Sequence, residues 1–148
     1  MFRNLLDRLF TEDPAPRPLA TDDAEVAVAA LLVRVARADD HYHAAERMRI
    51  DQVLGQLHGL GPIDAAERRA VAEMIEAEAP DTVRFTRLIK NRVSLEDRIG
   101  IIGAMWEISL ADDRRTAQEE SAIRLVAGLL GVTDRESAIQ RQRVAGAR

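Results

Sequence analysis

Two short stretches of the chain carry closely spaced acidic side chains that could bind a cation. The acids are Asp39, Asp40 and Glu46 in the first stretch, and Asp112, Asp113 and Glu119 in the second. Hard cations such as Ca²⁺ and Mg²⁺ prefer oxygen ligands, and Ca²⁺ takes about 6–8 of them. Each stretch therefore predicts a weak divalent-cation site, in which water or backbone carbonyls complete the coordination.

Helix capping is the competing interpretation of these acids. Thr116 and Glu119 have the spacing of a capping box, in which both side chains bond to backbone amides at the start of a helix. A glutamate that caps a helix cannot freely bind a metal at the same time. Asp112 and Asp113 do not occupy the favoured cap position, so capping does not explain them. Both interpretations stay open from the sequence.

Other metal sites fit the two stretches less well. An EF-hand requires oxygen ligands at its first, third and fifth positions and a glycine at its sixth. Counting from Asp39, the third and fifth positions are His41 and His43. Histidine also admits a mixed site for a transition metal such as zinc. The second stretch has no histidine, so this interpretation is disfavoured.

The bulk composition excludes several classes of function. The 148 residues include no cysteine, which excludes disulfides, thiolate catalysis and cysteine-ligated zinc. The formal net charge of −4 argues against general nucleic-acid binding, because that affinity depends on neutralising phosphates. No apolar run is long enough for a transmembrane helix, and the first residues lack the features of a secretory signal. We therefore expect a cytoplasmic protein.

Capping signals, among them Ser94 with Asp97 and Thr133 with Glu136, and helix breakers divide the chain into helical segments. No segment shows the alternation typical of a strand. The helices are predicted near residues 22–38, 44–58, 64–78, 82–92, 95–110, 117–130 and 134–145. The fold class is therefore all-α, a compact helical bundle of about seven helices. Residues 26–36 and 99–111 are apolar nearly all the way round, which predicts that these two helices form the centre. Gly100 and Gly103 would let their backbones approach closely.

Two single residues have structural interpretations. Trp106, the only tryptophan, falls on an apolar helix face and is expected to anchor the core. His58 stands near the end of a predicted helix, where a histidine can hydrogen-bond the last carbonyls. We therefore expect His58 to cap its own helix.

The first 20 residues are predicted to form a separate segment. Helical spacing relates its large apolar residues, which are Phe2, Leu5, Leu6, Leu9 and Phe10. The stretch TEDPAPRPLA follows, and its alternating prolines favour an extended linker. A short N-terminal amphipathic helix is thus tethered to a helical domain spanning residues 21–148. Residues 2–10 could dock on that domain, on a partner protein or peripherally on a membrane, and docking on protein is favoured.

The two acidic stretches belong to an internal repeat. ADDHYHAAERMRI, which starts at Ala38, aligns without a gap with ADDRRTAQEESAI, which starts at Ala111, 73 positions later. The preceding apolar segments also align, with Val33 opposite Trp106. A helical hairpin with an acidic turn is therefore used twice. Two copies favour a pseudo-symmetric bundle, because a solenoid needs about three or more repeats.

This pattern resembles the TerB-like family, named after a bacterial tellurite-resistance protein. The resemblance rests on an apolar helix, the letters ADD, and Glu46 or Glu119 seven positions after the first aspartate. It is most specific in MWEISLADDRRTAQEESAIRLVAGLLGV, and it covers residues 22–145. The family usually has glycine where this chain has Asp40 and Asp113. The resemblance implies an all-helical domain with acidic clusters that are suspected of binding divalent cations. It also implies links to bacterial stress systems that act near the membrane.

Three functions are compatible with these observations. The favoured one is a non-enzymatic module that binds a partner protein or acts as a sensor, with weak divalent-cation binding at the acidic turns. A metal-dependent hydrolase is the second, and it would require the two turns to converge on one open metal site. A purely structural oligomerisation scaffold is the third. No nucleophile with an adjacent base is visible, so we expect no enzymatic activity.

Overall fold

The computed structural model describes residues 21–38, 42–78, 82–110 and 117–146, and within these ranges the chain forms helices and no strand. The helices are α1 (Thr21–Ala36), α2 (Ala44–His58), α3 (Pro62–Glu78), α4 (Thr82–Arg92), α5 (Leu95–Ser109), α6 (Ala117–Leu129) and α7 (Asp134–Gly146). The all-α prediction is confirmed. The predicted N-terminal helix and linker lie outside the described residues. Among the described helices, none combines the length and the apolar character that crossing a bilayer requires.

Helix ends follow local signals that the sequence predicted. The Asp97 amide donates to Ser94 Oγ at 3.2 Å at the start of α5. Thr133 and Glu136 form a capping box, in which the Thr133 amide donates to Glu136 Oε1 at 2.9 Å and the Glu136 amide donates to Thr133 Oγ1 at 3.1 Å. Helix α3 begins at Pro62, two residues earlier than predicted. Proline suits a first helical position, because the amide that it lacks would have no partner within the helix.

Helix α1 forms the centre of the bundle. Every residue from Val26 to Val33 is buried, and the helix contacts α2, α3, α4, α5 and α6. In α5, every residue from Ile101 to Trp106 is buried as well. Because both helices are apolar around most of their circumference, each can be covered on several sides at once. The predicted central pair is confirmed.

A three-helix unit occurs twice in the bundle. Helices α1, α2 and α3 pack on one another, and α5, α6 and α7 do the same. In both units the first helix packs most extensively on the third. The predicted repeat of helical hairpins therefore extends to a third helix, and α4 connects the two units. Arg98 fixes this connection: its Nε donates to the Val93 carbonyl after α4, and its Nη1 donates to the Leu130 carbonyl after α6.

The predicted role of the two α5 glycines was wrong. A Cβ atom on Gly103 would lie 2.6 Å from Gln140 Oε1 of α7, and one on Gly100 would meet open space. The close approach at Gly103 therefore serves packing of α5 against α7, within the second unit, rather than packing against α1.

Candidate functional site

The structure describes only two of the six predicted cation ligands. Asp39, Asp40, Asp112 and Asp113 lie outside the described residues, so a cation site at the acidic turns stays a prediction. Among the residues that the structure does describe, no three histidine, aspartate or glutamate side chains are grouped so that they could hold a metal ion.

Glu46 and Glu119 occupy equivalent places in the two repeats. Each is the third residue of its helix, α2 or α6, and the two residues are 1% and 2% exposed. Glu46 Oε1 accepts a hydrogen bond from the His43 amide at 3.3 Å. The capping role that the sequence suggested for Glu119 is thus observed at Glu46. The amino-terminal end of a helix favours negative charge, which helps both positions to hold a buried carboxylate.

Tyr42 anchors the chain where the first acidic turn enters α2. The guanidinium groups of Arg37 and Arg47 lie 5.8 and 5.1 Å from the centroid of its ring. Burial raises the pKa of the Tyr42 phenol well above its usual range, and the Glu73 carboxylate raises that pKa further. The phenol is therefore neutral, and its ring packs against the core beside two cations.

A second candidate site, which the sequence did not reveal, is a groove of about 510 Å³ between α1, the end of α2 and the start of α5. We call it the α1–α5 groove. Its apolar lining comes from Ala24, Val28, Leu57, Val93 and Ile101. Glu25, His58, Arg92, Ser94, Glu96 and Asp97 supply the polar lining.

Glu25 links three helices at this groove. Its Oε1 lies 3.2 Å from His58 Nδ1, and its Oε2 accepts a hydrogen bond from Arg68 Nη1 at 2.6 Å. Burial lowers the pKa of His58, the Glu25 carboxylate opposes that effect, and the Arg68 guanidinium adds to it. The imidazole is therefore predominantly neutral at pH 7, and its Nδ1 atom faces the Glu25 carboxylate.

The predicted cap role of His58 was wrong. The left-handed residue Gly59, with a φ of 67°, ends α2, and its amide bonds to the Gly55 carbonyl. His58 instead turns toward α1. Its Nε2 atom is buried and has no hydrogen-bond partner among the described residues. No spacing rule could have found this arrangement, because Glu25, His58 and Arg68 come from three different helices.

A third feature is an exposed apolar groove of about 530 Å³ on the hairpin of α2 and α3. We call it the α2–α3 groove, and its apolar lining comes from Met48, Leu60, Pro62 and Ala65. Met48 is 63% exposed, and Ile63, which follows the lining residue Pro62 in the sequence, is 75% exposed. An exposed apolar groove of this kind is typical of surfaces that bind other proteins.

Comparison with known proteins identifies the family. The family model described as "Tellurite resistance protein TerB" matches residues 25–142. No curated protein and no solved structure matches the chain. The matched range runs from the first half of α1 into α7, so it includes both repeats and the Glu25–His58 pair. The resemblance seen in the sequence is confirmed, and the chain belongs to the TerB family.

Proposed function

We propose that this TerB-family chain is a non-catalytic interaction or sensing module of a bacterial stress system, and that its acidic turns bind a divalent cation weakly. Ca²⁺ and Mg²⁺ are the cations that suit carboxylate ligands. The proposal places the protein in the cytoplasm and gives it a protein partner. The observation that carries it is that α2, which follows Asp39 and Asp40 in the sequence, has the buried Glu46 in its first turn and an exposed apolar groove along its length.

The beginning of α2 favours coupling between the turn and the helix. Asp39 and Asp40 follow the end of α1, where the helix dipole disfavours negative charge. A bound cation would relieve that unfavourable interaction. Glu46, buried in the first turn of α2, holds the chain that leaves the acidic turn through the His43 amide. A change in the conformation of the turn would therefore be transmitted directly to the first turn of α2.

The remainder of α2 favours partner binding. Met48 lies in the second turn of the helix and lines the α2–α3 groove with residues of the following turn and of α3. A partner that buried Met48 and Ile63 would remove exposed apolar area from water, which contributes roughly 25 cal/mol for each Å². The same helix thus has a charged end and an apolar side, as a cation-responsive interaction module requires.

A cation titration followed by amide chemical shifts tests the proposal. We expect millimolar Ca²⁺ or Mg²⁺ to shift the amides of Asp39, Asp40, Asp112 and Asp113, with smaller shifts at Glu46 and Glu119. Asp112→Asn should remove the response of the second turn and leave that of the first. Asp134→Asn, which removes an acid at the start of α7, is the matched control and should leave both responses intact. If the amide shifts of both turns stay unchanged while the cation is raised to about 10 mM, in at least tenfold excess over the protein, the cation-binding part of the proposal is wrong.

A photo-crosslinking amino acid tests the partner-binding part separately. Placed at Ile63, it should yield a discrete adduct in cells, whereas the same amino acid at the exposed Leu125 of α6 should not. An equal yield of the same adduct at both positions would mean that the α2–α3 groove is not the binding surface.

A further inference from the structure

The α1–α5 groove lies beside the point where residues 1–20 join the domain. Helix α1 begins at Thr21, and the first groove residue, Ala24, follows three positions later. The point at which residues 1–20 join α1 is therefore within one helical turn of the groove. The α2–α3 groove has no lining residue on α1.

The groove presents apolar side chains that a partner could cover. Leu57 is 41% exposed, and Leu95, next to the polar lining residues Ser94 and Glu96, is 44% exposed. The first ten residues carry a matching set of apolar side chains on one face of a predicted helix. An amphipathic helix that lays its apolar face into such a groove is a recurrent mode of recognition.

Charge complementarity supports the same match. Three carboxylates, those of Glu25, Glu96 and Asp97, line the groove, and Arg92 is the one arginine among its lining residues. Glu25 is paired with Arg68, so the lining keeps the charges of Glu96 and Asp97 against that of Arg92. Residues 2–10 contain two arginines, Arg3 and Arg8, and one acid, Asp7. The segment is therefore net positive where the groove lining is net negative.

The linker is long enough for intramolecular docking. Residues 11–20 separate the predicted helix from Thr21, and an extended proline-rich chain spans about 3.1 Å per residue, or about 31 Å in total. The predicted helix itself is about 15 Å long. A short tether of this kind supplies an effective concentration on the order of millimolar, so docking does not require a high intrinsic affinity.

We propose that residues 2–10 bind as an amphipathic helix in the α1–α5 groove of the same chain, with Leu5, Leu6 and Leu9 toward Val28, Leu57 and Ile101. The groove is then an intramolecular binding site for the N-terminal segment. This inference is independent of cation binding and of the α2–α3 groove, because it uses a different surface.

Spin labelling tests the proposal directly, because a chain without cysteine accepts a single labelled site. The full chain carrying Asp7→Cys is labelled with a nitroxide, and amide broadening is recorded. We expect strong broadening at Ala24, Val28, Gly100 and Ile101, and little at Met48 or Ala65. Leu5→Glu should weaken docking about tenfold or more, because one leucine side chain is no longer buried. Asn4→Glu adds the same charge on the opposite helix face and is the matched control.

Changes in the groove provide the reciprocal test. Leu57→Glu should abolish the broadening, whereas Leu125→Glu, the same change at an exposed leucine of α6, should preserve it. Broadening that appears when labelled chain is mixed with isotope-labelled, spin-free chain would show docking between two copies and would overturn the intramolecular proposal. Absence of broadening at the groove, or equal loss with Leu5→Glu and Asn4→Glu, would overturn it as well.

Discussion

His58 Nδ1, at the end of α2, lies 3.2 Å from Glu25 Oε1 in α1. The other oxygen of the same carboxylate accepts a hydrogen bond from Arg68 of α3. All three side chains are mostly shielded from solvent, with exposed fractions of 15% for His58, 20% for Glu25 and 18% for Arg68. One carboxylate therefore holds together the three helices of the first repeat.

The burial of His58 predicts a pH-dependent stability. The folded state lowers the pKa of His58 below its usual value near 6.5, so the unfolded chain binds the proton first as the pH falls. The stabilisation is complete above about pH 6.5 and decreases as the pH falls from there toward the lower pKa of the folded state. Urea unfolding of the wild type and of His58→Gln between pH 8 and pH 5 measures the free energy of unfolding of each protein. We expect the difference between the two proteins to change with pH. A constant difference would contradict the prediction.

Arg68 is predicted to help keep His58 neutral. The Arg68→Gln change removes a positive charge that lowers the pKa of His58, so that pKa should rise. The chemical shift of the imidazole Cε1 proton of His58, followed by NMR during a pH titration, measures this pKa. Arg69→Gln is the matched control, because Arg69 pairs with Asp51 and Glu73 instead of Glu25. An equal rise in both variants would show that the Arg68–Glu25 contact is not responsible.

Trp106 and Ser137 are predicted to be energetically coupled. Trp106 Nε1 donates to Ser137 Oγ at 3.1 Å, and both residues are buried at the packing of α5 on α7. Trp106→Phe and Ser137→Ala should each lower the free energy of unfolding by about 1–3 kcal/mol, because each leaves the other polar group without its partner. In the double variant the loss should be smaller than the sum by about 1 kcal/mol. Denaturant unfolding of the four proteins measures the coupling, and strictly additive losses would contradict it.

Gly131 is predicted to be less replaceable than Gly59. Their φ angles are 73° and 67°, a conformation that costs a residue with a side chain about 1–2 kcal/mol. A Cβ on Gly59 would meet nothing within 4 Å, whereas one on Gly131 would lie 3.1 Å from Arg98 Nη1. Arg98 is held by the Val93 and Leu130 carbonyls and cannot easily move. Gly131→Ala should therefore lower the thermal unfolding midpoint more than Gly59→Ala does. Equal shifts would mean that Arg98 moves aside.

The α2–α3 groove is predicted to contribute to binding and not to stability. Met48→Ser and Ile63→Ser replace exposed side chains, so each should change the free energy of unfolding by no more than about 0.5 kcal/mol. The same variants should reduce the yield of the adduct formed from a photo-crosslinking amino acid at Gln52, which also lines the groove. Leu125→Ser, at an exposed leucine of α6, is the control. A large loss of stability at Met48 or Ile63 would identify a structural role instead.

The helices and their caps were predictable because the signals that set them are local. Ser94 with Asp97, and Thr133 with Glu136, act within one helical turn, so their spacing in the sequence is also their geometry. The central position of α1 was also predictable, because a helix that is apolar nearly all the way round must be covered on every side. The candidate sites were less predictable. The sequence singled out the acidic turns, of which the structure describes only Glu46 and Glu119, and it did not reveal either groove.

The sequence by itself determined which segments are helical, which helices are buried, and that one helical unit is used twice, because these properties depend on periodicity and short-range capping. The tertiary structure decided that Glu25 meets both His58 and Arg68, that Trp106 bonds to Ser137, and that Gly103 faces α7. The physical reason is that periodicity specifies the apolar face of each helix, whereas the residue opposite that face depends on how the helices cross.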